Sequence, residues 1–107
     1  MKKGEKVSQI AVIVKVKIKE GQLEAFSKIA LEGVENTKSE PGTTFYAIHN
    51  DSVEANVVWF YELYADKASA DAHNSSEAFA KWFKSLASFV DGAPEFSFLT
   101  PIGGKGI

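Results

Sequence analysis

The 107-residue chain has no cysteine, so it forms no disulfide, supplies no thiolate to a metal and has no cysteine nucleophile. It has no arginine either; all twelve basic residues are lysines. The bidentate guanidinium clamp is therefore missing, which counts against nucleotide and phosphosugar ligands. It does not exclude anions held by lysine or by helix N-termini. No apolar run approaches the length that crosses a bilayer. Nothing in MKKGEKVSQI reads as a secretory signal, because the apolar stretch after it alternates with Lys15, Lys17 and Lys19. The formal net charge of −2 gives no basic field for nucleic acid. The expectation is a cytoplasmic protein with neither a membrane nor a nucleic-acid partner.

What the chain does contain is enough apolar residues, 45%, for one core in a single domain. The core is expected over about 9–100, between a polar N-terminus at residues 1 to 6 and a Gly-rich tail from Pro101 to Ile107. Residues 9 to 19 alternate, with Ile10, Val12, Val14, Val16 and Ile18 on one face, and read as a strand. Residues 22 to 38 carry Leu23, Phe26, Ile29, Ala30 and Val34 at helical spacing. Gly33 in the middle of this helix points to close approach by the sheet, and Glu40-Pro41-Gly42 ends the helix. Residues 43 to 50 read as a second strand. A third runs from about Asn56 to Tyr64, too rich in aromatic and β-branched residues for a surface loop. Asp66 caps a short helix that closes at His73. Asn74 is the expected cap of the next helix, with Glu77 three residues on. That helix presents Phe79, Trp82, Phe83, Leu86 and Val90. After the breaker cluster Asp91-Gly92-Ala93-Pro94, residues 95 to 100 form a fourth strand, with Phe96 and Phe98 facing one way. The order βαββαβ implies an α+β fold, a four-stranded antiparallel sheet with helices on one face. Its other face, left bare, calls for a partner, and a homodimer is the simplest cover.

Two polar residues stand out within the apolar pattern. His73 is a candidate general base, because a neutral imidazole accepts a proton near pH 7. Its structural alternative is a histidine capping a helix C-terminus, where positive charge is favoured. Glu62 interrupts the third strand; it either orients His73, accepts a substrate hydroxyl, or pairs with a lysine across a dimer. Tyr46, Trp59, Tyr61, Tyr64, Phe79, Trp82 and Phe83 could line an aromatic pocket between sheet and helices, with Tyr46, Trp59, Tyr64 and Phe79 as the candidates for touching a ligand. His49 lies near a hairpin end and is expected to be solvated. There is no Gly-rich phosphate loop, Ser-His-Asp set or metal-spaced cluster in the sequence, so neither a metal nor another cofactor is expected.

Glu40-Pro41-Gly42, Tyr46, Asp51, the apolar strand ending near Glu62, and Ala72-His73 followed by Ser76 and Phe79 resemble the antibiotic biosynthesis monooxygenase family. The resemblance covers residues 10 to about 100. It implies a ferredoxin-like subunit that pairs into a dimeric α/β barrel. It further implies a cofactor-independent monooxygenase acting with O₂ on a small aromatic or quinol-like compound, with His73 and Glu62 as the catalytic candidates. The family also contains haem-degrading enzymes and a phosphosugar isomerase. The haem-degrading branch has Trp at the position of His73 and an iron-ligating His at that of Phe83, so this chain departs from it. It also has Tyr64 where the family often has Trp, and Ala78 where a second His is common. The rival readings are an isomerase or other proton-transfer enzyme on the same fold, and a non-catalytic small-molecule-binding dimer. On the monooxygenase reading, His73→Ala is expected to cut turnover and leave the melting temperature nearly unchanged.

Overall fold

A computed structural model describes residues 8–107; the polar segment expected at residues 1 to 6 lies outside them. The alternating stretch Ile10–Lys17 forms β1, and the apolar stretch Val57–Tyr64 forms β3 beside it. The two are antiparallel, with Val14 opposite Phe60 and Val12 opposite Glu62. Thr43–Asn50 forms β2 and Glu95–Leu99 forms β4, giving the strand order β2-β3-β1-β4. All three pairings are antiparallel. With α1 at Leu23–Thr37, α2 at Lys67–Ser75 and α3 at Glu77–Leu86, the element order is the expected βαββαβ with its second helical segment broken. A short 3₁₀ turn, Ala87–Phe89, follows α3, and Ile18 bridges to Val90 beyond it.

Strand alternation decides which side chains meet the helices. Val12, Val14, Val16, Val58, Phe60 and Tyr64 join Phe26, Ala30, Ala70, Trp82 and Leu86 in one buried cluster. The residues between them, including Lys15, Trp59 and Tyr61, lie on the other face of the sheet. Phe45 and Tyr61 touch there, with ring centroids 5.2 Å apart, and Phe45 is exposed. Ala11, Val57 and Leu63 on this face are buried, while Phe45 on the edge strand is exposed.

Two local expectations change. The helix break falls at Ser76 rather than Asn74. Ser76 is extended (φ −70°, ψ 149°), and its hydroxyl accepts the Phe79 amide at 3.0 Å. Asn74 is still inside α2, and Glu77 opens α3. The hydroxyl fits closely against the exposed amides of the next helix, so the residue already extended becomes the cap. Asp66 caps α2 as expected, accepting from the Ser69 amide at 2.8 Å. The second change concerns Gly33, which admits α3 and not the sheet. A Cβ there would lie 2.5 Å from Trp82 Cε2. The Trp82 indole donates to the Ile29 carbonyl of α1 at 2.9 Å, which pins the two helices at this contact.

Candidate functional site

Between the helix-facing side of the sheet and α3 lies a cavity of about 580 Å³. Its wall is mostly apolar, built from β1 valines, Phe60, Phe79, Trp82, and Phe96 and Phe98 of β4. Pro94 and Gly92 flank it, and Phe98 is 69% exposed at its side. The polar residues in this wall are Tyr46, Glu62 and Asn74.

Tyr46 and Glu62 are direct cross-strand partners on β2 and β3, so their side chains emerge together on the helix-facing side. Glu62 is only 8% exposed. Burial pushes its carboxyl above the ordinary range, opposed by the Tyr64 hydroxyl and by His73. The Tyr64 hydroxyl donates to Glu62 Oε1 at 2.5 Å. Burial, with the nearby Glu62, also drives the Tyr46 and Tyr64 phenols upward, so both keep their protons and act as donors. Tyr46 hydroxyl and Glu62 Oε2 make no hydrogen bond among the described residues, and neither atom is sealed from the cavity. The wall thus presents one free donor beside one free acceptor of raised basicity.

His73 lies one layer behind. It is 4% exposed and does not itself line the cavity. Its ring is enclosed by Tyr46, Tyr64 and Phe79, with centroids 5.5, 5.4 and 4.9 Å away. Its Nδ1 is 2.7 Å from Glu40 Oε1, while Nε2 is buried without a partner among the described residues. The histidine is therefore neither an exposed cap nor a residue oriented by Glu62. The carboxylate that holds it is Glu40, and Glu62 is held by Tyr64.

The other candidates separate by strand parity. Phe79 lines the cavity with Tyr46. Tyr64 backs it through Glu62. Trp59 is corrected: as an odd-numbered residue of β3 it points to the opposite sheet face. There its indole donates to Asp51 Oδ2 at 2.8 Å and Lys15 Nζ sits 5.6 Å from the ring centroid. Hydrogen bonds from the Glu54 amide, the Trp59 indole and the Val53 amide hold the Asp51 carboxyl down at about 2. His49 is exposed on that same side, as expected. Glu40 is the site residue to which the sequence assigned no chemical role. Glu40 reads locally as a helix stop, and its partner lies 33 residues away. Trp82 and Phe83, two of the aromatic residues that could form a pocket wall, do line the cavity. Among the described residues, no group of three or more His, Cys, Asp or Glu side chains is placed to hold a metal ion. No helix there is long and apolar enough to cross a membrane.

Comparison with known proteins places this architecture. A candidate antibiotic biosynthesis monooxygenase from Caulobacter crescentus superposes with a TM-score of 0.86 at 24% identity, covering 90% of this chain and 92% of that one. A second, from Nitrosomonas europaea, gives 0.85 at 20% identity over 92% and 95% of the two chains. A third, from Chloroflexus aurantiacus, gives 0.79 at 26% identity over 94% and 99%. An uncharacterized protein of Synechocystis sp. is 28% identical over 86 residues, 80% of this chain; the match spans only 54% of that curated relative's length. The family model for antibiotic biosynthesis monooxygenases matches residues 9–85, which include β1 to β3, the Tyr46–Glu62 pair and the Glu40–His73 contact. The chain belongs to the antibiotic biosynthesis monooxygenase family.

Proposed function

We propose that the protein is a cofactor-independent monooxygenase that oxidises a small aromatic or quinol-like compound with O₂ and works as a homodimer. The observation that carries this reading is the Tyr46–Glu62 pair in the wall of an otherwise apolar cavity. A phenolic hydroxyl entering there donates to Glu62, whose desolvation makes it a stronger base than an exposed carboxylate. The Tyr46 hydroxyl donates to the oxyanion that forms. The aromatic wall binds the rest of the ring and excludes water. The deprotonated ring is electron-rich enough to reduce O₂, and the sum of the reaction is quinol plus O₂ giving hydroxyquinone plus water. His73 with Glu40 completes the polar end from behind Tyr46 and Phe79. The homodimer is supported by exposed apolar side chains on both faces near the sheet edges, including Phe45, Phe96, Phe98 and Leu99.

Oxygen uptake with a panel of quinols tests this reading. One O₂ consumed per quinol, with the hydroxyquinone as product, supports it; binding of these compounds without oxygen uptake refutes it. The same donor–acceptor pair suits proton transfer without oxygen. That second reading predicts anaerobic exchange of a carbon-bound substrate proton with solvent deuterium. A thermal shift with neither turnover nor exchange leaves a binding protein.

A further inference from the structure

We propose that Glu40 is a positioning residue that holds His73 with its proton on Nδ1 and leaves Nε2 as a bare acceptor. The inference rests on the reading above, that the polar end of the cavity handles a proton. Glu40 Oε1 lies 2.7 Å from Nδ1 and also accepts the Thr43 hydroxyl at 2.8 Å. An ionised carboxylate only accepts, so at this distance Nδ1 carries the hydrogen. Were the proton on Nε2 instead, two lone pairs would face each other across 2.7 Å, and the Nε2–H would have no acceptor. The Nδ1–H tautomer avoids both penalties.

The turn that carries Glu40 is built to hold this geometry. The Glu40 amide donates to the Thr37 carbonyl at 2.9 Å, and the Thr43 amide donates to the Glu40 carbonyl at 3.1 Å. Gly42 seats the turn on α2: a Cβ there would come within 2.1 Å of Ser69 Oγ and 2.4 Å of Ser69 Cβ. Its carbonyl accepts the Ala65 amide at 2.9 Å, just before α2 begins. The turn is thereby fixed to the helix that bears His73. Glu40-Pro41-Gly42 therefore does more than stop α1; it delivers a carboxylate to a histidine on another element. The groups packed at the other side of the ring are Tyr46 from β2, Tyr64 and the nearby Glu62 from β3, and Phe79 from α3. A bare Nε2 among them is an acceptor sealed one layer behind the cavity wall.

The test is direct because the chain has two histidines. In tag-free His49→Ala protein, long-range ¹⁵N–¹H spectra at neutral pH report His73 alone. The expected pattern is a protonated, pyrrole-type Nδ1 and a pyridine-type Nε2. Glu40→Ala should move the proton partly or wholly to Nε2. Glu40→Gln, whose amide oxygen still accepts, should restore the parent pattern. A protonated Nε2 in the parent protein, or an unchanged pattern in folded Glu40→Ala, overturns the proposal. If Glu40→Ala does not fold, the parent spectrum still decides the tautomer. With a turned-over quinol, Glu40→Ala should lower kcat by about tenfold or more, part of the roughly 10²- to 10⁴-fold a proton-transfer group supplies. KM should change little, and Glu40→Gln should recover part of the loss. Absence of any quinol turnover sinks the proposed activity, while the nitrogen spectra still decide the role of Glu40.

Discussion

Gly33→Ala sets two well-known effects against each other, and the structure says which wins. Replacing a mid-helix glycine ordinarily stabilises a helix by about 0.5–1 kcal/mol. Here the new methyl would sit 2.5–2.9 Å from three atoms of the Trp82 indole. That ring is 7% exposed, packs edge-on to Phe60 at 6.0 Å and touches Phe79 at 5.8 Å. It has little room to retreat except toward the cavity. Overpacking of this kind costs about 1–3 kcal/mol. If the indole shifts, its 2.9 Å bond to the Ile29 carbonyl lengthens or breaks, with a further penalty of about 1 kcal/mol. The net expectation is a loss of about 2 kcal/mol, lowering Tm by about 10 °C. Calorimetry measures the shift. Indole fluorescence in a Trp59→Phe background, which leaves Trp82 as the sole tryptophan, reports whether the ring has moved. Because Trp82 lines the cavity, ligand affinity should fall as well. A Gly33→Ala protein as stable as its parent, with an unmoved Trp82 spectrum, would refute the packing argument.

Three other outcomes are expected. Glu62 has a raised carboxyl pKa in the folded state, so the folded protein holds that proton more tightly than the unfolded chain, whose reference value is 4.5. Stability should therefore fall as pH rises from 4.5 through the folded value. In melting curves from pH 4 to 8, Glu62→Gln should lack this decline and be the more stable protein at neutral pH. His73→Ala removes a ring enclosed by three aromatic neighbours and strands Glu40, so it should cost about 3 kcal/mol; a melting temperature within 2 °C of wild type would contradict this burial. An unchanged melting temperature was expected of a histidine that meets substrate in the pocket, whereas this ring is packed behind the wall, so His73→Phe, which keeps a ring in place, is the better variant for separating turnover from stability. Sedimentation at micromolar concentration should give twice the 11.7 kDa chain mass, and a clean monomer would remove the barrel assembly.

The architecture was legible because periodicity and turn chemistry agreed along the chain. The alternation in Ile10–Lys17, the helical spacing from Leu23 and the breaker at Glu40-Pro41-Gly42 each pointed to one element. Glu62 and Tyr46 were legible as polar or amphipathic residues in apolar strands. Two things were not. Trp59 and Phe60 look alike in a run apolar at nearly every position, so only pairing with β1 and β2 reveals that Phe60 meets the helices and Trp59 does not. Contacts between distant elements, Glu40 with His73 and Gly33 with Trp82, leave no local pattern at all. Both depend on how α1 and the later helices lie against each other, which is tertiary packing. That Glu62 lines the cavity while His73 lies behind it follows from the same limit. A sequence shows which residues can move a proton, not which of them reaches the cavity.

The most direct measurement is turnover by Glu62→Gln, with a quinol that the wild-type protein oxidises and at saturating O₂. Glutamine keeps an oxygen for the Tyr64 hydroxyl, so the wall should stay in place while its base is lost. The account predicts a fall in kcat of about 10²- to 10⁴-fold, with ligand affinity changed far less. Wild-type turnover by folded Glu62→Gln would contradict it, and would mean that the substrate loses its proton without this carboxylate.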